Sequence, residues 1–416
     1  MNNISRIIVI VDSIDIQDSS GSKANVALIH NLQAIGSHIE VFHYTRKNIQ
    51  LKNVVCHSIK ENKWSLNYFL SRSQRVFTRY TKININSFIE KIMGFSFTFL
   101  NDTDSIRSFI LNNINKEPDL IITLSKGASF RPHYALLKLP KYHNKWLAYV
   151  HDPYPFHCYP EPYNWIEAGY KRKEIFFKEV SEKAKFSGFP SQLLNEWMGT
   201  HFPNFLNTGI LIPHQSFNQK FNKIESPKYC DINKFNILHA GNLMKQRSPK
   251  GLIVGFQLFL KNNPSASKDA RLLLLGSSSY YDSMLSTYKN EIQELYVSEG
   301  NVPFEIVLNL QKNVVVNVIL ESKSKISPFL PGKFPHCVIA NKPILLLSPN
   351  KSETKRLLGA DYLYHTQVDA VIEIAKLFQK LYDLWLVNPN NLKLDRKDLE
   401  HYVSTSYLDE IIKSII

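Results

Sequence analysis

Short apolar runs closed by polar residues alternate along this chain with stretches of helical periodicity. Arg6–Val11, ended by Asp12, reads as a buried first strand. Lys23–Ala34 reads as a helix with Gly36 in the position after its C-cap. Ile39–Tyr44 is expected as the second strand, and Asp119–Leu124 and Trp146–Val150 as buried parallel strands. Trp165–Ala184 reads as a helix, Ser191 as the N-cap of the next, and Gly209–Ile212 as a last strand. From His214 to Asn233 the chain is polar and aperiodic. The same grammar then restarts: Phe235–His239 is a strand, Pro249–Leu260 a helix with proline in its first turn, and Arg271–Leu275 a strand. Val314–Leu320 and Ile344–Leu347 are further strands, and Leu392–Ile416 is helical. This alternation predicts an α/β protein of two doubly wound, Rossmann-like domains. The expected boundaries are 1–214, a linker over 215–233, a second domain over 234–390, and C-terminal helices over 391–416 that pack back across the interface.

The length of 416 residues agrees with two cores rather than one, and 44% hydrophobic residues with 12% aromatic suffice to fill them. Ile7–Val11 is too short for a signal-peptide core, and no run approaches the ~18 apolar residues of a membrane span. Cys56, Cys158, Cys230 and Cys337 have no paired spacing and read as reduced thiols, so a cytoplasmic location is expected. The net charge of +14 is unevenly spread: Thr45–Leu100 holds ten basic residues against two acids, interleaved with aromatics. Arg72, Arg75 and Arg79 share a face if that segment is helical. Such a surface suits anionic lipid headgroups, suits nucleic acid, or is only a solvated face. The expectation carried forward is the anionic membrane surface, with no nucleic-acid partner.

Candidate chemistry lies where strands end, because ligands of open α/β sheets bind outside the carboxyl ends of the strands. Ser20–Leu28 follows the first strand, with Gly21 and Ser22 able to let a ligand approach the backbone. His151 and Asp152 directly follow a strand; an imidazole there can hydrogen-bond sugar hydroxyls, and the carboxylate can orient it or receive an acceptor. The segment from His239 to Leu252 contains Gly241 and Asn242, then the cations Lys245, Arg247 and Lys250 near a helix start. Gly276 and Ser277 close another strand. In the last segment, Phe329, Leu330, Pro331 and Gly332 turn into a short helix beginning near Gly332, with Lys333 beside it. Amide groups at a helix start, with a lysine adjacent, suit a diphosphate. His157 and Cys158 fit no common zinc spacing, so no metal site is expected.

The last segment resembles the donor-sugar loop of glycosyltransferase family four, written P-x-K-x-x-E-Y-x-A-x-G-K-P-I. Pro331, Lys333, Lys342, Pro343 and Ile344 fall in register. His336 stands where the family carries a ribose-binding carboxylate, and Asn242 where it carries an arginine. The family's paired acids, eight apart, would fall on Pro328 and His336, neither of which is acidic. The loop containing Gly21 resembles the family's G-G-x-E-x-V-x-L, with Ser22 in place of the second glycine. The resemblance implies two Rossmann-like domains facing across a cleft, the GT-B arrangement, with the acceptor on the first and the nucleotide sugar on the second. It further implies a retaining, metal-independent transferase in which His151, Asp152, Arg247, Lys250 and Lys333 serve the reaction. Donor contacts would come from Gly21, Ser22, Gly241, Asn242, Lys245, Gly276, Ser277, Phe329–Gly332 and His336. The nucleotide sugar is then a co-substrate, with no resident cofactor. A saccharide or lipid-linked acceptor, in surface polysaccharide or glycolipid assembly at the inner face of the membrane, completes the expectation.

No G-x-G-x-x-G follows either first strand, and neither a G-x-S-x-G elbow nor a P-loop is present, which argues against dehydrogenase, hydrolase and P-loop chemistries. A non-catalytic scaffold of the same fold, or a membrane-surface binding protein, is the alternative left by the two departures at Asn242 and His336.

Overall fold

The computed structural model describes residues 5–216 and 225–416. Of the expected linker, residues 217–224 lie outside the described residues. The chain separates into two compact units. One comprises Met1–Tyr159, Tyr163–Asn218 and Val403–Ile416, and the other Pro160–Pro162 and Gln219–Tyr402.

The first unit is built on strands β1 (Arg6–Val11), β2 (His38–His43), β3 (Val55–Ser58), β4 (Leu120–Leu124), β5 (Trp146–Tyr149), β6 (Phe186–Phe189) and β7 (Gly209–Leu211). Every neighbouring pair is parallel, in the order β3-β2-β1-β4-β5-β6-β7. Helices α1 (Ser20–Ala34), α2 (Leu66–Thr81), α3 (Asn86–Met93), α4 (Phe97–Asn113), α5 (Arg131–Leu137), α6 (Tyr170–Lys183), α7 (Gln192–His201) and α8 (Asn204–Thr208) belong to it. Ile7–Val11 and Leu120–Leu124 are wholly buried because both faces of the sheet are covered, which is why these strands read as unbroken apolar runs.

The second unit repeats the design. Strands β8 (Phe235–Ala240), β9 (Ala270–Leu275), β10 (Leu295–Val297), β11 (Val316–Leu320), β13 (Ile344–Leu347) and β15 (His365–Thr366) form a sheet in the order β10-β9-β8-β11-β13-β15, again parallel. Strands β12 (Ile326–Ser327) and β14 (Lys351–Ser352) pair separately. Helices α9 (Lys250–Asn262), α10 (Asp282–Glu291), α11 (Phe304–Asn313), α12 (Phe334–Ile339), α13 (Glu353–Leu358), α14 (Val371–Val387) and α15 (Lys397–Tyr402) flank them. Helix α9 lies close against the segment leading into α14, and Gly251 makes that approach possible. A Cβ there would sit 2.1 Å from the Val368 carbonyl oxygen.

The last helix, α16 (Thr405–Ile415), returns to the first unit, where the Thr405 hydroxyl bonds Asn31 of α1 and Leu408, Ile412 and Ile415 join the core around β1. The expected C-terminal segment therefore divides, since α15 stays with the second unit.

Three local expectations are corrected. The helix expected over Trp165–Ala184 begins only at Tyr170, because Gly169 adopts a left-handed conformation (φ 73°) and its backbone passes against Gly94 and the Glu90 carbonyl; a Cβ on Gly169 would lie 2.2 Å from that oxygen. Helix α1 begins three residues before Lys23, capped by Ser19, whose side chain accepts from the Ser22 amide. The short helix after Pro331 begins at Phe334, with Lys333 as its N-cap, rather than near Gly332.

Candidate active site

Strand order reverses beside β1 in the first sheet and beside β8 in the second, and splayed loops at such a reversal leave a crevice at the strand ends. In the second unit the crevice is bounded by residues following β8, β9 and β11. Gly241 and Gly276 take positive φ (154° and 134°), and a Cβ on Gly276 would lie 2.7 Å from the Gly241 carbonyl oxygen. The two loops touch backbone to backbone: the Gly241 amide donates to Leu275 O and the Leu243 amide to Ser277 O, both at 2.8 Å. The Asn242 side chain seals the same junction by accepting from the Ser277 amide at 3.1 Å. Asn242 thus fixes loop geometry, a role open to an amide oxygen and closed to the arginine of the resembling family.

Lys333 reaches into this junction. Its Nζ lies 3.2 Å from Nδ1 of His239, the penultimate residue of β8, and would be 3.1 Å from a Cβ on Gly241. Burial, with Arg247 nearby, pulls the lysine down to about 7. His239 is fully buried and held neutral by burial and by the same two cations. A neutral imidazole has one in-plane position at each nitrogen, so an ammonium donating to Nδ1 leaves the ring proton on Nε2. That Nε2 faces the Gly241 backbone, and the buried Nε of Arg247 has no partner among the described residues. Three groups able to donate to an anion are thereby gathered at one sheet edge. Beside them Glu321, buried directly after β11, accepts from the Ser352 hydroxyl at 3.0 Å through Oε1, with the hydroxyls of Thr354 and Ser327 also next to its carboxyl. Burial pushes its carboxyl up to about 7.

The other expected residues are placed as follows. Lys250 is exposed at the first position of α9, and Lys245 is exposed near the Tyr280 ring. Phe329, Leu330, Pro331 and Gly332 form the irregular turn before α12, with Leu330 buried. His336 packs edge-on against Phe304 at 5.5 Å between ring centres. The loop at Gly276 is tied to β10 by the Ser298 hydroxyl, which accepts from the Gly276 amide at 3.0 Å.

At the edge of the first sheet, His151 is buried and its Nε2–H donates to Asn25 Oδ1 at 2.6 Å, while Asn25 donates to Ser125 O. Burial and the neighbouring His214 and His133 keep His151 neutral, and burial raises Asp152 to about 6. Gly21 and Ser22 lie in the first turn of α1 rather than in a loop. Ser22 is fully buried with its hydroxyl 3.1 Å from that of Ser19, so its side chain is committed to the cap. His157 lies beside Glu174. Among the described residues no group of three or more His, Cys, Asp or Glu is arranged to hold a metal ion.

Sequence reasoning missed His239 and Glu321, and also Asp12. Asp12 directly follows β1, is buried and raised to about 6, and accepts from the Ser129 hydroxyl at 2.6 Å. Beside it Arg131 and Arg46 both pair with Asp102 at 2.9 Å. Its one sequence signal, an acid closing an apolar strand, equally describes any strand end.

No family model matches the chain, and no curated protein matches it. Solved structures do match over its whole length. A glycosyltransferase from Rickettsia africae ESF-5 aligns with TM-score 0.61 and 13% identity, covering 99% of both chains. An α,α-trehalose-phosphate synthase (UDP-forming) from Burkholderia xenovorans, in complex with glucose-6-phosphate, aligns with TM-score 0.62 and 9% identity over 99% of this chain and 100% of that one. A third, from E. coli and described as trehalose-6-phosphate bound with UDP-2-fluoro glucose, aligns with TM-score 0.60 and 12% identity over 99% and 98%. The chain shares its fold with these proteins across both units.

Proposed function

We propose that this chain is a glycosyltransferase using a nucleotide-diphosphate sugar, bound at the β8–β9–β11 edge of the second unit. The observation carrying this reading is the gathering of Lys333, His239 and Arg247, all donors, with the buried Nε of Arg247 left without a partner among the described residues, at the reversal point of a parallel sheet. A nucleotide diphosphate supplies the acceptor oxygens that such a set lacks. The fold neighbours described with UDP-2-fluoro glucose and as a UDP-forming synthase support the same choice of ligand.

In the transfer, the bond from the anomeric carbon to the diphosphate oxygen breaks and a bond to an acceptor hydroxyl oxygen forms, the hydroxyl proton leaving with the released diphosphate. Charge develops on the leaving oxygens, and donors fixed before the reaction stabilise it without reorganisation. Lys333 and Arg247 are assigned this role, with His239 Nε2–H as a third donor; Lys250 and Lys245 meet the outer phosphate. Retention of configuration without metal follows the family resemblance. His151, with Asp152, forms the polar wall of the first unit, where a saccharide or lipid-linked saccharide is received at the cytoplasmic face of an anionic membrane. Assembly of a surface polysaccharide or glycolipid is the process this serves. The departure at His336 leaves a ribose contact that differs from the family's, with the imidazole against Phe304.

The test is a melting-temperature screen against UDP, GDP, ADP, CDP and TDP, and then their sugars. A nucleotide that binds only the folded state raises the melting temperature by mass action, by about 2.7 kcal/mol of stability at a hundred times Kd. Absence of any shift at millimolar concentrations overturns the donor site. A nucleotide-sugar shift without turnover of any saccharide or lipid-linked acceptor favours the scaffold reading.

A further inference from the structure

Helix α2 is packed onto the first unit by its polar side. Asn67 donates to Asp104 of α4 at 3.3 Å, Gln74 donates to Asn86 of α3 at 3.1 Å, and Ser71 is the one buried residue of the helix. The Ser65 cap bonds Asn101 of α4. At 100° per residue, Asn67, Ser71, Gln74 and Thr78 form one stripe. The opposite stripe is Leu66, Phe69, Val76, Phe77 and Tyr80, and all five are exposed, Leu66 to 73% and Tyr80 to 83%. An amphipathic helix on a globular surface ordinarily does the reverse. Helix α3 buries no residue at all and adds exposed Phe88, Ile92 and Met93; Trp64, before α2, is 88% exposed. So many exposed apolar side chains on two neighbouring helices need a partner.

The charges beside it say which. Arg79 lies on the flank of the apolar stripe beside Val76 and Tyr80, Arg75 is turned further towards α4, where it donates to Thr98 at 3.1 Å, Lys82 caps the end of α2, and Lys91 lies on α3; all are exposed. Arg72 lies on the same side of the helix as Arg75 and Arg79, as the arginine spacing predicts, but its charge is already paired. It is half-buried, 3.4 Å from Glu61, and stacked over Tyr68. A second copy of the same surface would bring these cations against one another, whereas an anionic interface accepts both stripes at once.

We infer that α2 and α3 form a membrane-docking element, with α2 lying in the plane of an anionic bilayer. Leu66, Phe69, Val76, Phe77 and Tyr80 enter the acyl boundary while Arg75, Arg79 and Lys82 sit at the phosphates. This deepens the lipid-side part of the proposed function and is independent of the donor site.

The experiment is flotation of the full chain with phosphatidylcholine vesicles, with and without ~30% phosphatidylglycerol, at low and high salt. The parent is expected to float with the anionic vesicles and to be released by salt. Arg75→Glu, Arg79→Glu, Lys82→Glu together should lower partitioning by roughly a hundredfold or more. Phe69→Ser, Phe77→Ser, Tyr80→Ser should abolish it at every salt concentration. These side chains are exposed, so the variants should keep the parent's melting temperature and its nucleotide-sugar shift, which reads the donor site separately. A parent that never floats overturns the inference, and so do variants that float as the parent does. Concentration-dependent dimerisation lost in the serine variant would assign the surface to a second copy instead.

Discussion

Replacing Lys333 by methionine should make the ligand-free protein more stable and the nucleotide-sugar complex weaker. The lysine's ordinary value of 10.5 is lowered to about 7 by burial and by Arg247. Below pH 7 the folded protein must hold a charge that the unfolded chain carries at less cost. That penalty is therefore full below pH 7 and fades as the pH rises from about 7 towards 10.5. A shift of this size corresponds to about 4–5 kcal/mol at most, and to about 2–4 kcal/mol after solvent access is allowed for. Methionine removes the charge and keeps most of the volume, and His239 can then turn its Nδ1 proton to the Val318 carbonyl, 3.3 Å away. At pH 6.5 the variant should melt roughly 5 °C or more above the parent, with the gap closing towards pH 9. Ligand binding should move oppositely. A bound diphosphate restores the lysine's preference for its proton, so the parent's affinity for a nucleotide sugar should fall roughly tenfold per pH unit above 7. The variant should lose this slope and bind ~10–150-fold more weakly at pH 6.5, as expected for one charged hydrogen bond. Melting curves and isothermal titration calorimetry from pH 6 to 9 give both quantities. A parent affinity that is flat with pH, or a variant that melts lower and keeps the slope, would refute the assignment of Lys333 to the diphosphate.

Glu321→Gln should flatten the dependence of melting temperature on pH between about 4.5 and 7. Over that window the parent's raised carboxyl releases its proton later in the folded state and loses stability as the pH rises, which a pH series of melting curves will detect. His336→Glu should leave nucleotide-sugar affinity equal or improved in a calorimetric titration; a large loss would show that the imidazole has a contact of its own. Gly251→Ala should destabilise by about 1–3 kcal/mol in urea titration, because its methyl would meet the Val368 carbonyl at 2.1 Å and backbone cannot yield as a flexible side chain does.

The sheets were legible because a parallel strand covered on both faces leaves an uninterrupted apolar run, as in Ile7–Val11 and Ile344–Leu347. Gly241 and Gly276 were legible because they close apolar strands, and Lys333 because the segment around it resembles a donor-sugar loop, although the helix start beside it was placed too early. His239 was not, since one histidine inside an apolar strand carries no sign that a lysine 94 positions later will reach it. Glu321 was hidden for the same reason: its significance comes from Ser352 and from Arg247 nearby. The start of α6 was misplaced because the decisive contact, Gly169 against Glu90, joins distant segments. The spacing of Arg72, Arg75 and Arg79 placed them on one face of α2, but such spacing does not state which face of a helix is turned inward.

The return of α16 to the first unit has a consequence for how the protein is made. Leu408, Ile412 and Ile415 complete the core around β1, yet they are synthesised after the whole of Gln219–Tyr402. At ~5–20 residues per second that delay is roughly 10–40 s on the ribosome. During it the early-emerging half holds an open apolar seam along α1, while the later half, with Pro160–Pro162 already made, has every segment it needs once Tyr402 emerges. The half made first is therefore finished last. A nascent chain stalled at Tyr402 should be the species that chaperones hold and proteases cut, and expression of the first unit alone will require the 14 residues from Val403 onward to be joined back to it.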